Sequence, residues 1–139
     1  MQYLFLLALL ACSSVSLAQD PADIFHKTVD VDDVNHISFD VYPQDKVEYR
    51  SWPGDDVLIE TSVRIQNVKQ DILDFYLRQK RYVLMPNVSG DAMQLVSYDK
   101  NRRVVKGTEG SAFEDVTIVV YLPEDFTAAS DGGYERMSR

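Results

Sequence analysis

Apolar and polar residues alternate along most of the chain, which is the pattern of strands with one buried face. The longest such stretch, residues 57–66, places Val, Ile or Thr at every odd position. Shorter alternating segments lie at residues 37–41, 46–52 and 113–123. The pattern therefore predicts a mainly β fold.

Turn-forming residues separate these segments. Pro43-Gln44-Asp45 predicts a tight connection that joins the strands on either side of it as a β-hairpin. Trp52-Pro53-Gly54-Asp55-Asp56 is the strongest turn signal, because Pro restricts φ at the second turn position and Gly tolerates positive φ at the third. A second hairpin is predicted within residues 82–98, with its loop at 86–91.

The hydrophobic period changes after residue 66, which predicts one helix over about residues 67–81. Asn67 followed by Gln70 resembles a capping box. Apolar residues then recur at helical spacing, at Val68, Ile72, Phe75 and Tyr76. Six or seven strands and one helix indicate an antiparallel β-sandwich-like domain, in which the helix covers an edge or an open end.

The start of the chain predicts the compartment. Tyr3 to Ala11 is an uninterrupted apolar run, too short to span about 30 Å of hydrocarbon but typical of a signal-peptide core. The small residues of Ser16-Leu17-Ala18 favour cleavage before Gln19, so residues 1–18 would be a signal peptide. An alternative hypothesis is a bacterial lipobox, Leu9 to Cys12, in which Cys12 would be lipidated. The mature chain is therefore expected to be periplasmic or extracellular, or alternatively lipid-anchored in the cell envelope.

The limits of the alternating apolar and polar pattern predict the remaining domain organisation. Residues 19–28 contain Asp20, Pro21 and Asp23 and are predicted to be a linker. Residues 29–126 would form the β-rich domain. Residues 127–139 show no periodic apolar face and are predicted to be a flexible tail. After the leader no apolar run approaches the length of a membrane span, so no transmembrane segment is expected in the mature chain.

Charge and cysteine content narrow the function classes. The chain has 22 acidic and 14 basic residues and a formal net charge of −8. A general nucleic-acid binder needs a basic surface, so nucleic acid is excluded as a partner. The single cysteine, Cys12, lies in the leader, so the mature domain would contain neither a disulfide nor a thiolate metal site. No metal and no cofactor are expected.

Four short motifs connect residues 29–126 to a known family. They are Phe39-Asp40-Val41-Tyr42, Trp52-Pro53-Gly54-Asp55-Asp56-Val57, Ser89-Gly90-Asp91 and Val119-Val120-Tyr121-Leu122-Pro123. With these motifs the segment resembles the bacterial exported adhesin domains of unknown function, which are β-rich cell-envelope modules. We predict a module that acts by surface contact, adhesin-like or scaffolding, with an envelope protein or a glycan as its partner. The resemblance itself implies an extracytoplasmic, non-catalytic domain. It provides no family active site.

Aromatic residues supply the candidate binding site. Trp52 would present a flat apolar ring to a sugar, and Tyr42 and Tyr121 would extend that platform. A glycan-binding module is therefore an alternative function. The competing structural interpretation is that Trp52 packs at a corner of the sandwich.

Catalytic chemistry finds little support in the sequence. His26 and His36 are the only imidazoles, and no serine lies in a Gly-x-Ser-x-Gly turn. A hydrolase remains an alternative if the fold brings carboxylates together, for instance Asp55 or Glu60. We expect no catalytic residue and a chain that is not an enzyme.

Two charged clusters are interpreted as solvated surface. A weak calcium site would need a further carboxylate from Asp55 or Asp56 to complete the oxygen ligands Asp30, Asp32, Asp33 and Asn35. The second cluster lies in the polar segment of residues 99–110 and is a basic patch that could pair with an acidic polysaccharide or subunit. It consists of Lys100, Arg102, Arg103 and Lys106.

Overall fold

A computed structural model describes residues 19–138 of the chain. The described part contains eleven strands in three sheets and one helix. In chain order these are β1 Ala22–Val29, β2 His36–Asp40, β3 Lys46–Trp52, β4 Val57–Gln66, α1 Gln70–Arg78, β5 Leu84–Ser89, β6 Ala92–Ser97, β7 Lys106–Gly107, β8 Gly110–Ser111, β9 Phe113–Pro123, β10 Phe126–Ala128 and β11 Tyr134–Arg136. The predicted signal peptide and Cys12 lie outside the described residues.

Two larger sheets form the layers. Sheet A has the strand order β1-β4-β9-β3, and sheet B has the order β10-β11-β2-β6-β5, while β7 and β8 form a separate ribbon. Most neighbouring strands are antiparallel, but β3 and β9 run parallel, as do β2 and β6. The prediction of a mainly β, sandwich-like domain with one helix is confirmed.

The core lies between the two sheets, as the alternation along β4 and β9 requires. In β4 the odd-numbered residues from Val57 to Ile65 are at most 2 % exposed. They lie beside the even-numbered apolar residues of β9, from Val116 to Leu122, on the same face of sheet A. Across the core this face meets Ile37, Met93 and Leu95 of sheet B. The alternate residues of β4 and β9 therefore point away from the core and form the outer face of sheet A.

The helix is shorter than predicted. It begins after Lys69, which makes no side-chain capping hydrogen bond, and ends at Arg78. The predicted capping box is wrong, because Asn67 has a φ of 64° and its side-chain oxygen instead accepts a hydrogen bond of 2.8 Å from Thr108. Leu73 is fully buried in the core. The helix thus closes one part of the sandwich through its apolar face.

The first predicted hairpin is wrong. The strands on either side of Pro43-Gln44-Asp45 lie in different sheets, because β2 pairs with β6 and β3 pairs with β9. A tight turn does form, with the Asp45 N–H donating to the Tyr42 carbonyl at 3.0 Å. The Tyr42 N–H also donates to the Ser97 hydroxyl at 2.8 Å, which holds the turn to sheet B. The turn residues therefore carry the chain across the sandwich.

The second predicted hairpin is confirmed with a shorter loop. β5 and β6 pair antiparallel from Leu84 opposite Ser97 to Ser89 opposite Ala92. Residues 86–89 belong to the strand, so the predicted loop shrinks to a turn at Gly90 and Asp91. Gly90 has a φ of 63°, the left-handed conformation that favours glycine in tight turns.

The predicted linker and tail both contain strands. Within residues 19–28, the chain from Ala22 onward belongs to β1, which pairs with β4 along its length. Within residues 127–139, β11 inserts between β10 and β2. β1 is an edge strand with mostly exposed side chains, and β10 and β11 are three residues long, so hydrophobic alternation hardly marks them.

Arg136 of β11 explains how the C-terminal segment is held. Its guanidinium donates to the carbonyls of Val34, at 3.0 Å, and Val31, at 2.5 Å, and forms an ion pair with Asp125. The Arg136 side chain is 12 % exposed. The C-terminal strand is thereby fastened to the loop before β2.

Among residues 19–138 no helix combines the length and hydrophobicity needed to cross a bilayer.

Candidate contact surface

The outer face of sheet A carries a strip of apolar side chains. Leu58 of β4 lies opposite Tyr121 of β9, and Val119 follows two positions along the same face of β9. Ile24, on the edge strand β1, is 60 % exposed and lies opposite Ser62. A shallow depression of about 400 Å³ crosses from Ile24 to Thr117 of β9. Leu58, Tyr121 and Val119 thus form a small apolar strip, in which Val119 is only 8 % exposed. The row of His26 and Glu60 separates this strip from Ile24.

The outer face of sheet B differs in composition. There Ser38 of β2, Gln94 of β6 and Asn87 of β5 lie in one row across three neighbouring strands. These side chains are polar and suit contact with water. Because helix α1 packs Leu73 into the core, it does not shield sheet A from outside. In the neighbouring row of the same face Val96 of β6 lies opposite Met85 of β5, so sheet B also carries apolar side chains outside the core. Sheet A differs in presenting Ile24, which is 60 % exposed, beside a depression.

Charged and polar side-chain pairs border the apolar strip. His26 Nε2 lies 2.9 Å from the Glu60 carboxylate on the side of β1. On the opposite side, Arg50 contacts Glu48 at 2.7 Å, and Lys46 contacts Asp115 at 3.0 Å. Exposed pairs of this kind stabilise a fold by only about 0–1 kcal/mol. Their effect here is to surround an apolar strip with polar groups, the arrangement found in protein contact sites.

Trp52 lies at one end of this surface and packs into the turn that follows β3. Its indole N–H donates to the Asp56 carbonyl at 2.9 Å. Its ring covers Gly54 so closely that a Cβ there would lie 2.2 Å from the ring. Tyr121 is adjacent, with ring centroids 6.3 Å apart. The structure thus brings Trp52 and Tyr121 together.

Replacing Gly54 with alanine tests this packing. We expect the tryptophan ring to swing outward, lowering the free energy of unfolding by about 1–3 kcal/mol, as overpacking usually does. Trp52 is the only tryptophan, so fluorescence emission reports on it alone and should shift to longer wavelength. Gly90→Ala is the control, because a Cβ at Gly90 meets nothing within 4 Å, although its φ of 63° is unfavourable for alanine. Unchanged emission in Gly54→Ala would contradict the packing.

Tyr42 does not join the other two aromatic residues. Its ring stacks against the Arg102 guanidinium, 4.3 Å from the centroid, and its hydroxyl donates to Gln44 at 3.3 Å. Tyr42 precedes β3, whereas Trp52 ends that strand. The predicted three-residue platform is therefore reduced to the pair Trp52 and Tyr121.

The predicted basic patch is divided among separate interactions. Arg102 is buried and forms a two-bond ion pair with Asp45, at 2.6 and 2.7 Å, in which both side chains are 2 % exposed. Lys100 pairs with Asp40. Arg103 and Lys106 are exposed. Because Arg102 was expected on the surface and lies inside, these residues do not form one basic surface.

Arg102 belongs to a buried polar network that the sequence did not reveal. Arg81, with a side chain 5 % exposed, donates to both oxygens of Glu114 at 2.8 and 3.0 Å. The Tyr82 hydroxyl donates to the same carboxylate at 2.5 Å. Arg102 lies over the Tyr82 ring, 5.0 Å from its centroid, which connects the two ion pairs. This network joins the end of α1 to β9 and to the turn before β3.

Burial and hydrogen bonding have opposite effects on the pKa values of the acidic groups in this network. Burial alone would raise the pKa of Glu114, but hydrogen bonds from Arg81 and Tyr82 outweigh burial and lower that pKa. For Asp45 burial prevails over the Arg102 contact and raises the pKa. Burial and the neighbouring Glu114 carboxylate raise the pKa of the Tyr82 hydroxyl, which therefore stays protonated as a donor.

A pH dependence follows from the lowered pKa of Glu114. Because the folded protein holds this carboxylate ionised, its stabilisation is complete above the ordinary glutamate pKa and is lost below about pH 4. The stability difference between wild type and Glu114→Gln, measured by urea unfolding, should therefore narrow as the pH falls. Burial, the largest cause of the raised pKa of Asp45, is the same in both proteins, whereas Glu114→Gln removes the smaller contribution of the Glu114 charge to that pKa. The exposed Glu124→Gln variant should parallel wild type, and a pH-independent difference for Glu114→Gln would contradict the assignment.

The candidate acid groups lie apart. Within the described residues, Asp55 and Glu60 share no depression, since Glu60 bonds to His26 and Asp55 lies in the turn after β3. Asp30 accepts a hydrogen bond of 2.8 Å from the Asp32 backbone, and Asn35 donates to Asp91 at 3.2 Å. No three His, Asp or Glu side chains among residues 19–138 are grouped to hold a metal ion.

His36 fastens the C-terminal strand. Its ring lies 3.2 Å from the Asp131 carboxylate and 3.8 Å from that of Glu135. Both acids belong to the segment predicted as a tail. These contacts connect β2 to β11 and to the turn that precedes it.

Comparison with known proteins adds no relative. No family model, curated protein or solved structure matches the chain. The resemblance to adhesin domains therefore stays a prediction.

Proposed function

We propose that this chain is an exported, non-catalytic β-rich module that acts by surface contact in the bacterial cell envelope. The observation that carries the proposal is the outer face of sheet A, where Leu58 lies beside Tyr121 and Ile24 is 60 % exposed next to a depression. Exposed apolar side chains rimmed by polar groups are found at interaction sites. The compartment follows from the predicted signal peptide, residues 1–18.

The groups around the strip favour binding over bond chemistry. The Glu60 carboxylate is engaged by His26, and the Asp115 carboxylate by Lys46. A hydrolase with two carboxylates needs them about 5–10 Å apart across a cleft, with room for substrate. The depression beside Ile24 is shallow, and its side chains Ser62 and Thr117 suit hydrogen bonding to a partner surface. An envelope protein is the partner that this mixed surface fits best.

A matched pair of variants tests the proposal. Ile24 is 60 % exposed on the edge strand of sheet A, and Val88 is 55 % exposed on the edge strand of sheet B. We would measure binding of residues 19–139 to isolated bacterial envelope in a sedimentation assay. Ile24→Glu is expected to weaken binding at least about tenfold, as burying an unpaired charge at an interface does. Val88→Glu is expected to bind like wild type.

Three outcomes would overturn the proposal. They are the absence of saturable binding by the wild-type chain, equal weakening by the two variants, and loss by Val88→Glu alone. Circular dichroism of both variants should match wild type, since each position is exposed on an edge strand.

The contact between Trp52 and Tyr121 favours a second candidate, a glycan-binding module. Aromatic rings that meet at a surface are suited to stacking on sugar rings. Titration with soluble peptidoglycan fragments should then shift the fluorescence of Trp52 saturably, and Tyr121→Ala should abolish that shift. Unchanged fluorescence would eliminate this candidate and leave the protein-contact function.

A further inference from the structure

The four edges of the two sheets differ in how well they are protected against pairing with another strand. β10 has only three residues, and β5 contains Pro86, which lacks a backbone donor. Beside β1, Phe25 lines a depression of about 230 Å³ with Leu77 and Tyr82, so the chain that follows α1 lies alongside that edge. Short strands, prolines and flanking chain are all means of protecting an edge.

β3 has none of these three protections within the described residues, and its charged side chains Lys46, Glu48 and Arg50 disfavour only those strands whose charges do not match them. It is seven residues long, contains neither proline nor glycine, and pairs only with β9. Five of its residues are exposed, and only Val47 and Trp52 are partly buried. One row of its backbone N–H and C=O groups therefore lies open to solvent, available to a further strand.

We propose that two copies of this chain form a dimer through antiparallel pairing of β3 with β3, centred on Tyr49. The proposal does not depend on the contact function of the outer face. A twofold axis at Tyr49 passes through the middle of the strand, so Lys46 lies opposite Trp52 of the second copy. All seven residues of the strand are then paired.

The charges of β3 select this register. Centred on Tyr49, Glu48 of each copy lies opposite Arg50 of the other, which gives two favourable cross-strand pairs on one face. Centring the axis on Glu48 would place the two Glu48 carboxylates opposite each other and Lys46 opposite Arg50. Centring it on Arg50 would oppose the two guanidinium groups. The register centred on Tyr49 therefore has both the longest strand overlap and the complementary charge pairs.

Tyr49 supplies a second reason. It is 39 % exposed although its ring contacts Phe39 and Tyr134, with centroids 4.7 and 5.5 Å away. In the dimer the two Tyr49 rings meet at the axis, and aromatic cross-strand pairs stabilise sheets. The aromatic cluster at this edge would then continue from one copy into the next.

The dimer would also join the two copies of sheet A into one continuous sheet. Their outer faces would lie side by side and face the same partner. Bivalent contact of this kind strengthens binding without any new contact within one copy.

Charge exchange tests the register directly. Arg50→Glu and Glu48→Arg each place like charges opposite one another and should weaken dimerisation of residues 19–139 at least about tenfold. The double variant Glu48→Arg/Arg50→Glu restores opposite pairs and should restore the dimer. Sedimentation equilibrium measures the association, and Arg64→Glu, an exposed residue of β4, is the control that should dimerise like wild type.

Cysteine cross-linking tests the axis in the same chain. The only cysteine is Cys12, so residues 19–139 are free of thiols and each single cysteine reports on one position. Under mild oxidation Tyr49→Cys should form a disulfide-linked dimer, because the two residues face each other. Lys46→Cys should remain monomeric, because each Lys46 faces Trp52 of the other copy.

The inference is overturned by a wild-type chain that stays monomeric at about millimolar concentration, where weak specific dimers still form. Failure of the double charge variant to recover, or equal cross-linking of Tyr49→Cys and Lys46→Cys, would contradict the register. A monomeric chain that still binds envelope would leave the contact function intact.

Discussion

Replacing Arg81 with methionine is expected to lower the free energy of unfolding by about 3–5 kcal/mol, the usual cost of breaking a buried ion pair. Arg81 donates two hydrogen bonds to Glu114 and a further one of 2.7 Å to the Arg103 carbonyl. Its loss leaves the Glu114 carboxylate partly buried without its main counter-charge. Urea unfolding monitored by Trp52 fluorescence measures the change.

Two variants make this result specific. Arg78→Met removes an exposed arginine three residues earlier and should cost less than about 1 kcal/mol. The double variant Arg81→Met/Glu114→Met removes both charges and should cost much less than Arg81→Met alone, because no buried charge is left unpaired. A loss of less than about 1 kcal/mol in Arg81→Met would show that the network does not hold the domain together.

Replacing Arg136 with methionine is expected to lower the free energy of unfolding by about 2–4 kcal/mol. The change removes hydrogen bonds to the Val31 and Val34 carbonyls and the ion pair with Asp125. It also removes the packing of the guanidinium on the Phe126 ring, 4.5 Å from its centroid. The amide hydrogens of β11 should then exchange much faster than in the wild-type chain. Hydrogen exchange followed by mass spectrometry measures this rate.

Arg103 is exposed, so Arg103→Met is the control for Arg136→Met. It should leave both the free energy of unfolding and the amide exchange of β11 unchanged. If Arg136→Met behaves in the same way, residues 127–139 are the flexible tail that the sequence predicts. Rapid exchange of β11 in the wild-type chain would support the same conclusion.

Sequence patterns predicted the strands whose burial is strongest. β4 and β9 form the middle of sheet A, so one face of each must be apolar throughout, and this leaves a clear period of two. β1 is an edge strand with little buried surface, and β11 is held by contacts of Arg136, Glu135 and Tyr134 with residues distant in the sequence. Contacts with residues distant in the sequence stabilise such segments. The alternation of apolar and polar residues along a strand gives no information about those contacts.

The buried network could not be predicted for a related reason. Arg81 and Glu114 are 33 residues apart, and Arg102 and Asp45 are 57 apart. In the sequence Arg102 is followed by Arg103 within a polar stretch, and an exposed loop has the same composition. No feature of the local sequence distinguishes Arg102, whose guanidinium is buried, from Arg103, whose side chain is in water.

The candidate surface was predicted in part. Trp52 and Tyr121 end neighbouring strands of sheet A, and the structure places their rings together. Tyr42 was grouped with them as a tyrosine expected to point outward. The turn at Pro43-Gln44-Asp45 instead leads from sheet B to sheet A, and the Tyr42 ring stacks on Arg102.

Side-chain footprinting tests the contact function most directly. Residues 19–139 would be labelled by hydroxyl radicals with and without isolated bacterial envelope, and labelling would be read by mass spectrometry. The account predicts protection of Ile24 and Tyr121 on the outer face of sheet A, with no change at the exposed Phe75, Val88 and Tyr98. Protection of Phe75, Val88 or Tyr98 while Ile24 and Tyr121 stay reactive would contradict it.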